Sequence, residues 1–434
     1  MKKLLLLIIL LTALSGFSSE LLSLDDLIDA AFSDNPQIHS KEYELKASQT
    51  ARFSVYSSIL PKADLGMRYT YLGEVPYLAF PDELSSMMPE MGKIEMGKHD
   101  NYDLTLSLQQ PIFTGLSLYR GIKLSNIDVE LKDIEYDRAK SNIALDVKKG
   151  YYNLIRSISS LATAQKAFDG LTAHYKDIKN LYDNGLLVKN DLLQVEVALS
   201  EMELNLIRIE HAIDLTRQNL STLTGIDAEK INIDTLLSYN KSRFSPQEAE
   251  SLAILHNFDM MRMDAGQRAA RQNVGLNIAK LMPTLAVAGN YHYKNPTQDL
   301  EEAWEDSWDV SIVANLNVFS WGHDIAKIQE ARYKKKAYEK TMENAENMIS
   351  QGVNAIMIGL QEAEFSIEIS EAEIVQAEEN LRITLDRFKV GDATNTEVLD
   401  AEASLYRARN NRINAICDHN IKKAELYSII GYIR

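Results

Sequence analysis

Two stretches of this sequence repeat one another, and any fold has to accommodate both. Residues 387–405 read Arg-Phe-Lys-Val-Gly-Asp-Ala-Thr-Asn-Thr-Glu-Val-Leu-Asp-Ala-Glu-Ala-Ser-Leu, and residues 181–199 read Leu-Tyr-Asp-Asn-Gly-Leu-Leu-Val-Lys-Asn-Asp-Leu-Leu-Gln-Val-Glu-Val-Ala-Leu. In each, a glycine (Gly391, Gly185) follows a helical pattern far longer than globular helices run and precedes a second helix that must reverse direction. Glycine supplies the left-handed residue that ends such a helix. Thr396 is expected to cap the returning helix, with Glu397 and Asp400 in its first turn, where the helix dipole favours acids. Asn190, Leu193 and Glu196 take the places of Thr396, Leu399 and Glu402.

The repetition extends well beyond the turns. Ser23, Asp26, Asn35 and Pro61 are matched by Ser245, Glu248, Asn257 and Pro283 at a spacing of 222, and beyond the pair Phe113 and Phe319 the spacing is 206. The 16-residue difference is a longer loop between Gly73 and Asn101. Each copy has one order: a helix disturbed at Asn35-Pro36 or its match, a proline stop, two alternating runs, a helix of about 70 residues, the glycine turn and a returning helix. The expected boundaries are a signal at 1–18, a first repeat at 19–225, a connector at 226–244 and a second repeat at 245–434. Ile349, Val353, Ile356, Leu360, Ala363 and Ile367 step by four and three, as a coiled-coil seam does. Ile143, Val147, Leu154, Ile158 and Leu161 answer in the first copy. In each copy the two shorter helices together match the long one.

The alternating runs have a period of two. Leu65, Met67, Tyr69 and Tyr71 oppose Asp64, Gly66, Arg68 and Thr70; Tyr102, Leu104, Leu106 and Leu108 oppose Asp103, Thr105, Ser107 and Gln109. Runs at 285–293 and 308–318 follow the same rule. Each approaches the roughly 10 residues a tilted strand needs to cross a bilayer, with aromatics toward the ends. Four strands cannot close a barrel, and open edges are not tolerated in lipid, so several chains must share one. Two chains would give eight strands, too few to leave a lumen; three would give 12. Arg68 and Asp64 are expected to form a charge pair facing that lumen.

Composition narrows the compartment. Lys2 and Lys3, the apolar run Leu4–Leu14 and Gly16-Phe17-Ser18 read as a secretory signal too short to span a bilayer. Cys417 is the one cysteine, so no intrachain disulfide framework exists, and it is expected to pack as a small apolar residue. The formal charge of −16 becomes about −18 without the signal, which argues against nucleic acid and anionic membrane surfaces as partners.

The segment from Phe388 to Glu402, the proline-preceded alternating strands and the duplicated helix order resemble the TolC family of outer-membrane efflux proteins, over essentially the whole mature chain. The resemblance implies a mainly α fold with a small β part. Long coiled-coil helices form a periplasmic α-barrel, and four strands per chain contribute to a trimeric 12-stranded outer-membrane β-barrel. The assembly would be a passive exit duct extending into the periplasm, with an inner-membrane pump, a periplasmic adaptor (membrane fusion) protein and outer-membrane lipid as partners. It would serve efflux of drugs or metal ions or, alternatively, type I protein secretion. Gly185, Leu186, Gly391 and Asp392 would be the tips an adaptor grips. Glu397 and Asp400 match positions that form acidic rings at the closed end, although both also suit a helix N-terminus. Phe388 stands where the family can carry a tyrosine that holds the entrance shut. A phenyl ring cannot make that bond, which leaves Tyr182, the matching residue of copy one, and Asp191 as further gate-link candidates.

Other chemistry is sparse. Met87, Met88, Met91, Met96 and His99 share a loop and either offer thioethers to a soft ion such as Cu(I) or pack over the outer mouth. The remaining histidines are scattered, and no phosphate loop or nucleophile elbow appears, so no metal, cofactor or enzymatic activity is expected. The rival from another class is a periplasmic coiled-coil scaffold with hairpins that never enter a bilayer.

Overall fold

The computed structural model describes residues 21–79, 93–241 and 244–433. The expected signal and Met87, Met88 and Met91 lie outside them. Helices α1 (Leu24–Asp34) and α2 (Pro36–Ser57) lead into β1 (Lys62–Tyr71). A small pair, β2 (Tyr77–Ala79) and β3 (Lys93–Glu95), precedes β4 (Asp100–Thr114), α3 (Ser117–Asp183) and α4 (Lys189–Thr224). After a connector come α5 (Pro246–His256), α6 (Phe258–Ala279), β5 (Thr284–Asn295), β6 (Glu305–Asn315), α7 (His323–Lys389) and α8 (Asn395–Ile429).

The duplication is visible in hydrogen bonds. Ser23 with Asp26 and Ser245 with Glu248 form the same reciprocal capping box at the starts of α1 and α5. The disturbance at Asn35-Pro36 is a full break, and Asn35 stitches it: its side-chain amide donates to the Leu223 carbonyl at 3.0 Å and its oxygen accepts from Gln37. Asn257 does the same with Ile429, also at 3.0 Å, and Asp259. The α3 and α7 helices have 67 residues each.

Chain contacts divide the molecule into two compact units. The first takes Met1–Tyr43, Asp133–Arg262 and Met342–Arg434. Its core joins Leu27, Ile28 and Ala31 of α1 to Ile143, Val147 and Leu154 of α3, Leu220 of α4 and Cys417 of α8. The cysteine is fully buried and free, as a small apolar residue would be, and burial pushes its thiol pKa up. In the second copy Val353, Leu360, Ala363 and Ile367 of the heptad seam are buried.

The second unit, Glu44–Lys132 with Met263–Thr341, holds the main sheet. Its strands pair antiparallel in the order β1-β4-β5-β6. The neighbouring helix segments follow the same order. Lys132 of α3 meets Glu44 of α2 at 3.1 Å, Arg268 of α6 forks onto Glu130 of α3, and the ring of Tyr338 of α7 lies against Gly266 of α6, where a Cβ would require the tyrosine to shift. Each sheet strand thus adjoins one helix of a matching row. At the two strand-to-helix corners the chain turns through paired positive-φ residues, Gly115-Leu116 and Trp321-Gly322, with the glycine first in one copy and second in the other.

Both faces of the sheet are open to solvent in a single chain. Leu65 and Met67 on β1 and Trp308 and Ile312 on β6 are more than 70% exposed. The fourth strand ends at Asn315, short of the expected 318, before the Trp321 corner. The expected Arg68–Asp64 pair is corrected. Asp64 takes Lys62 at 2.9 Å, because side chains two apart share a strand face, while Arg68 stands in register with Asp103 on β4. Asp103 itself accepts from Thr105 and lies beside His292 and Lys294.

Candidate functional site: the paired helix tips

The two reversals use one backbone device. At the first, Gly185 has φ 74° and its N–H donates to the Tyr182 carbonyl, while Leu186 donates to Leu181. At the second, Gly391 has φ 81°, with the equivalent bonds to Phe388 and Arg387. This Schellman closure satisfies the last carbonyls of α3 and α7 and requires a residue at home with positive φ. Nothing lies within 4 Å of where either glycine's Cβ would be, so the backbone conformation selects glycine, not crowding. Leu186, Val188 and Val390 stand exposed around the turns.

The cap of the second returning helix lies two residues earlier than expected. Thr394, not Thr396, is the N-cap of α8; its hydroxyl accepts from the Glu397 N–H at 3.3 Å, and its own N–H donates to the Glu397 carboxylate at 2.7 Å. The motif Thr394-Asn-Thr-Glu397 is a capping box, and the rule that a cap precedes its acid by three explains the displacement. Val188 occupies the matching place in α4 and offers no side-chain cap. Glu397 is therefore held at the helix end. The bonds from Thr394 hold its pKa below the usual carboxylate value, with Arg387 at 3.7 Å adding to the effect. Asp400, a turn further along, is exposed, and its carboxylate has no partner among the described residues. Arg387 also ties the turn by meeting the Asp392 carboxylate at 3.3 Å and its carbonyl at 2.6 Å.

What the sequence reading missed is the joint between the tips. Asn395, 3% exposed, donates from its amide nitrogen to the Asp191 carbonyl at 3.1 Å and to the Gln194 side chain at 3.0 Å. A backbone carbonyl only accepts, so the Asn395 side-chain oxygen must point the other way. There it lies 2.8 Å from Nε2 of buried His174, which fixes that nitrogen as the protonated one. Burial holds the His174 pKa below its ordinary value. Of the expected gate links, Asp191 joins through its backbone. Phe388 packs edge-on against His174 at 5.2 Å, and the Tyr182 hydroxyl has no hydrogen-bond partner among the described residues. The one available signal was a mismatch in the duplication: Asn395 and His174 face Lys189 and Asn380 at a spacing of 206.

No group of three or more His, Cys, Asp or Glu among the described residues is placed to hold a metal, and no described helix is long and apolar enough to cross a membrane.

Four two-faced strands, a matching row of helices and paired reversals capped by glycine define a channel-forming chain with a bilayer part and a helical part. The chain belongs to the outer membrane efflux protein family, whose pattern matches residues 27–226 and 250–432. It is 23% identical over 306 residues to outer membrane protein TolC of Vibrio cholerae, covering 69% of this chain and 70% of that one. It is 21% identical over 450 residues to TolC of Escherichia coli, covering 99% and 87%. Among solved structures, the outer membrane protein VceC of Vibrio cholerae shares the fold with a TM-score of 0.80 at 20% identity, covering 94% and 96%. The protein is an outer-membrane protein of efflux.

Proposed function

We propose that three copies of this chain form a passive exit duct, with a shared 12-stranded barrel in the outer membrane and the helical tips on the periplasmic side. The observation that carries this reading is the sheet. Its outward face is apolar, its other face carries Asp103, His292 and Lys294, and its edge strands β1 and β6 have no partner within the described chain. Lipid accepts such a sheet only when the edges are closed by further copies. The repeats at 19–225 and 245–434, joined by 226–244, each supply two strands and one tip. Leu186, Gly185, Gly391 and Asp392 meet a periplasmic adaptor, which connects the duct to an inner-membrane pump. The exposed apolar residues at the turns suit a protein partner. Asp400 contributes to an acidic ring at the entrance.

Two measurements test the reading together. The chain is expected to remain with outer membranes through osmotic shock and alkaline extraction, and after detergent purification to give cation-selective conductance in planar bilayers. Release on osmotic shock would point to a periplasmic scaffold and overturn the duct.

A further inference from the structure

Helices α3 and α8, the start of α1 at Leu24 and the connector line an open cleft of about 430 Å³, within the size range of small-molecule sites. Lys148, Tyr151 and Tyr152 occupy one face of α3 at steps of three and four, and Lys423 and Tyr427 occupy one face of α8 at a step of four. The connector closes a third side, where Asn420 donates to the Ser238 carbonyl at 2.9 Å and Lys423 to the Asn240 carbonyl at 3.4 Å.

The charge here runs against the rest of the chain. Lys148 is partly buried, and its amine has no hydrogen-bond or ion-pair partner among the described residues. Burial lowers its pKa, and only Asp25 opposes that through space. The amine is not closed off from solvent, so an anion entering the cleft can reach it and gain a charge-assisted hydrogen bond. Lys423 spends one N–H on the connector and keeps two for a ligand. Tyr151, Tyr152 and Tyr427 supply aromatic walls, the first two packed edge-on at 5.5 Å.

The duplication does not explain this arrangement. At a spacing of 206, Lys148, Tyr151 and Tyr152 face Asn354, Met357 and Ile358, and Tyr427 faces Ser221. The matching positions thus lack this lysine and these tyrosines, although Arg217 keeps a cation in the place of Lys423.

We propose that this cleft binds a small aromatic carboxylate, with the carboxylate on Lys148 and Lys423 and the ring among the three tyrosines. Titration calorimetry of the full detergent-purified protein with 2-naphthoate, against a micelle blank, tests it. Saturable binding is expected, at least tenfold weaker for 2-naphthalenemethanol and for Lys148→Met, and restored by Lys148→Arg. Tyr427→Leu, which keeps both cations, is expected to weaken binding several-fold and serves if Lys148→Met does not fold. Heats no greater than the blank, equal affinity for acid and alcohol, or parental affinity in Lys148→Met or Tyr427→Leu overturns the proposal.

Discussion

His174 and Asn395 lie 221 positions apart in sequence, and their side chains meet at 2.8 Å in buried space between the two tips. Asn395 has every polar group of its side chain engaged, two donors and one acceptor, by residues of the first copy's tip.

Asn395→Ala leaves the buried His174 N–H without its acceptor and removes a donor from the Gln194 side-chain oxygen, while the Asp191 carbonyl keeps its place in the α4 helix. Unmet buried polar groups cost about 1–3 kcal/mol, so the unfolding free energy read from the helical signal is expected to fall by that amount and the midpoint temperature with it. An unshifted transition would show that the joint contributes nothing to holding the tips together.

Acid should weaken the same joint. A histidine whose folded pKa lies below its unfolded value of 6.5 gives stability that is fully present above 6.5. Below that, the unfolded chain takes up a proton the folded chain resists, and stability falls with pH. His174→Gln keeps an N–H for Asn395 but cannot titrate, so the stability lost between pH 7 and 5 should shrink. His419 is also buried and has its pKa lowered by burial, so His419→Gln is the necessary comparison.

The two acids near the second tip should separate by experiment. Glu397→Ala removes half of a capping box and is expected to lower the melting temperature. Asp400→Asn, at an exposed site, should leave stability within about 0.5 kcal/mol and reduce the cation preference of the bilayer conductance. Unchanged selectivity in Asp400→Asn would remove that residue from the entrance.

Glycines of similar φ should differ in tolerance. Gly391→Ala meets open space and bears only the left-handed backbone cost, about 1–2 kcal/mol. Gly115→Ala would also place its Cβ 2.5 Å from the Ala279 carbonyl oxygen and 2.7 Å from the Met282 side chain, so it should be the more damaging of the two. Comparing their melting temperatures and yields in the membrane fraction checks the order.

The elements were legible because their periods are long and repeated. The seam from Ile349 to Ile367, the alternation around Leu65 and Trp308, and the glycine at each turn are local patterns, and repetition at fixed spacing supplied a second reading of each. The cap was misplaced by two because three candidate residues, Thr394, Asn395 and Thr396, stand in a row, and only the acid three positions on distinguishes them. The His174–Asn395 joint was illegible for a different reason. It depends on which helix faces lie against each other across more than 200 residues, and neither side chain stands out in its own segment. The Arg68–Asp64 error came from assigning a partner by shared face, when a shorter same-strand contact with Lys62 was available.

Strands β1 and β6 each leave one edge unpaired within the described chain. If those edges close only against other copies, the last step in folding the barrel is a collision between molecules. Its rate then rises with protomer concentration, and a lone subunit has no finished barrel whose stability could be measured. Until that collision, each protomer carries two ready templates for wrong strand pairing. Assembly is in this sense part of folding, and a dilute chain waits for it.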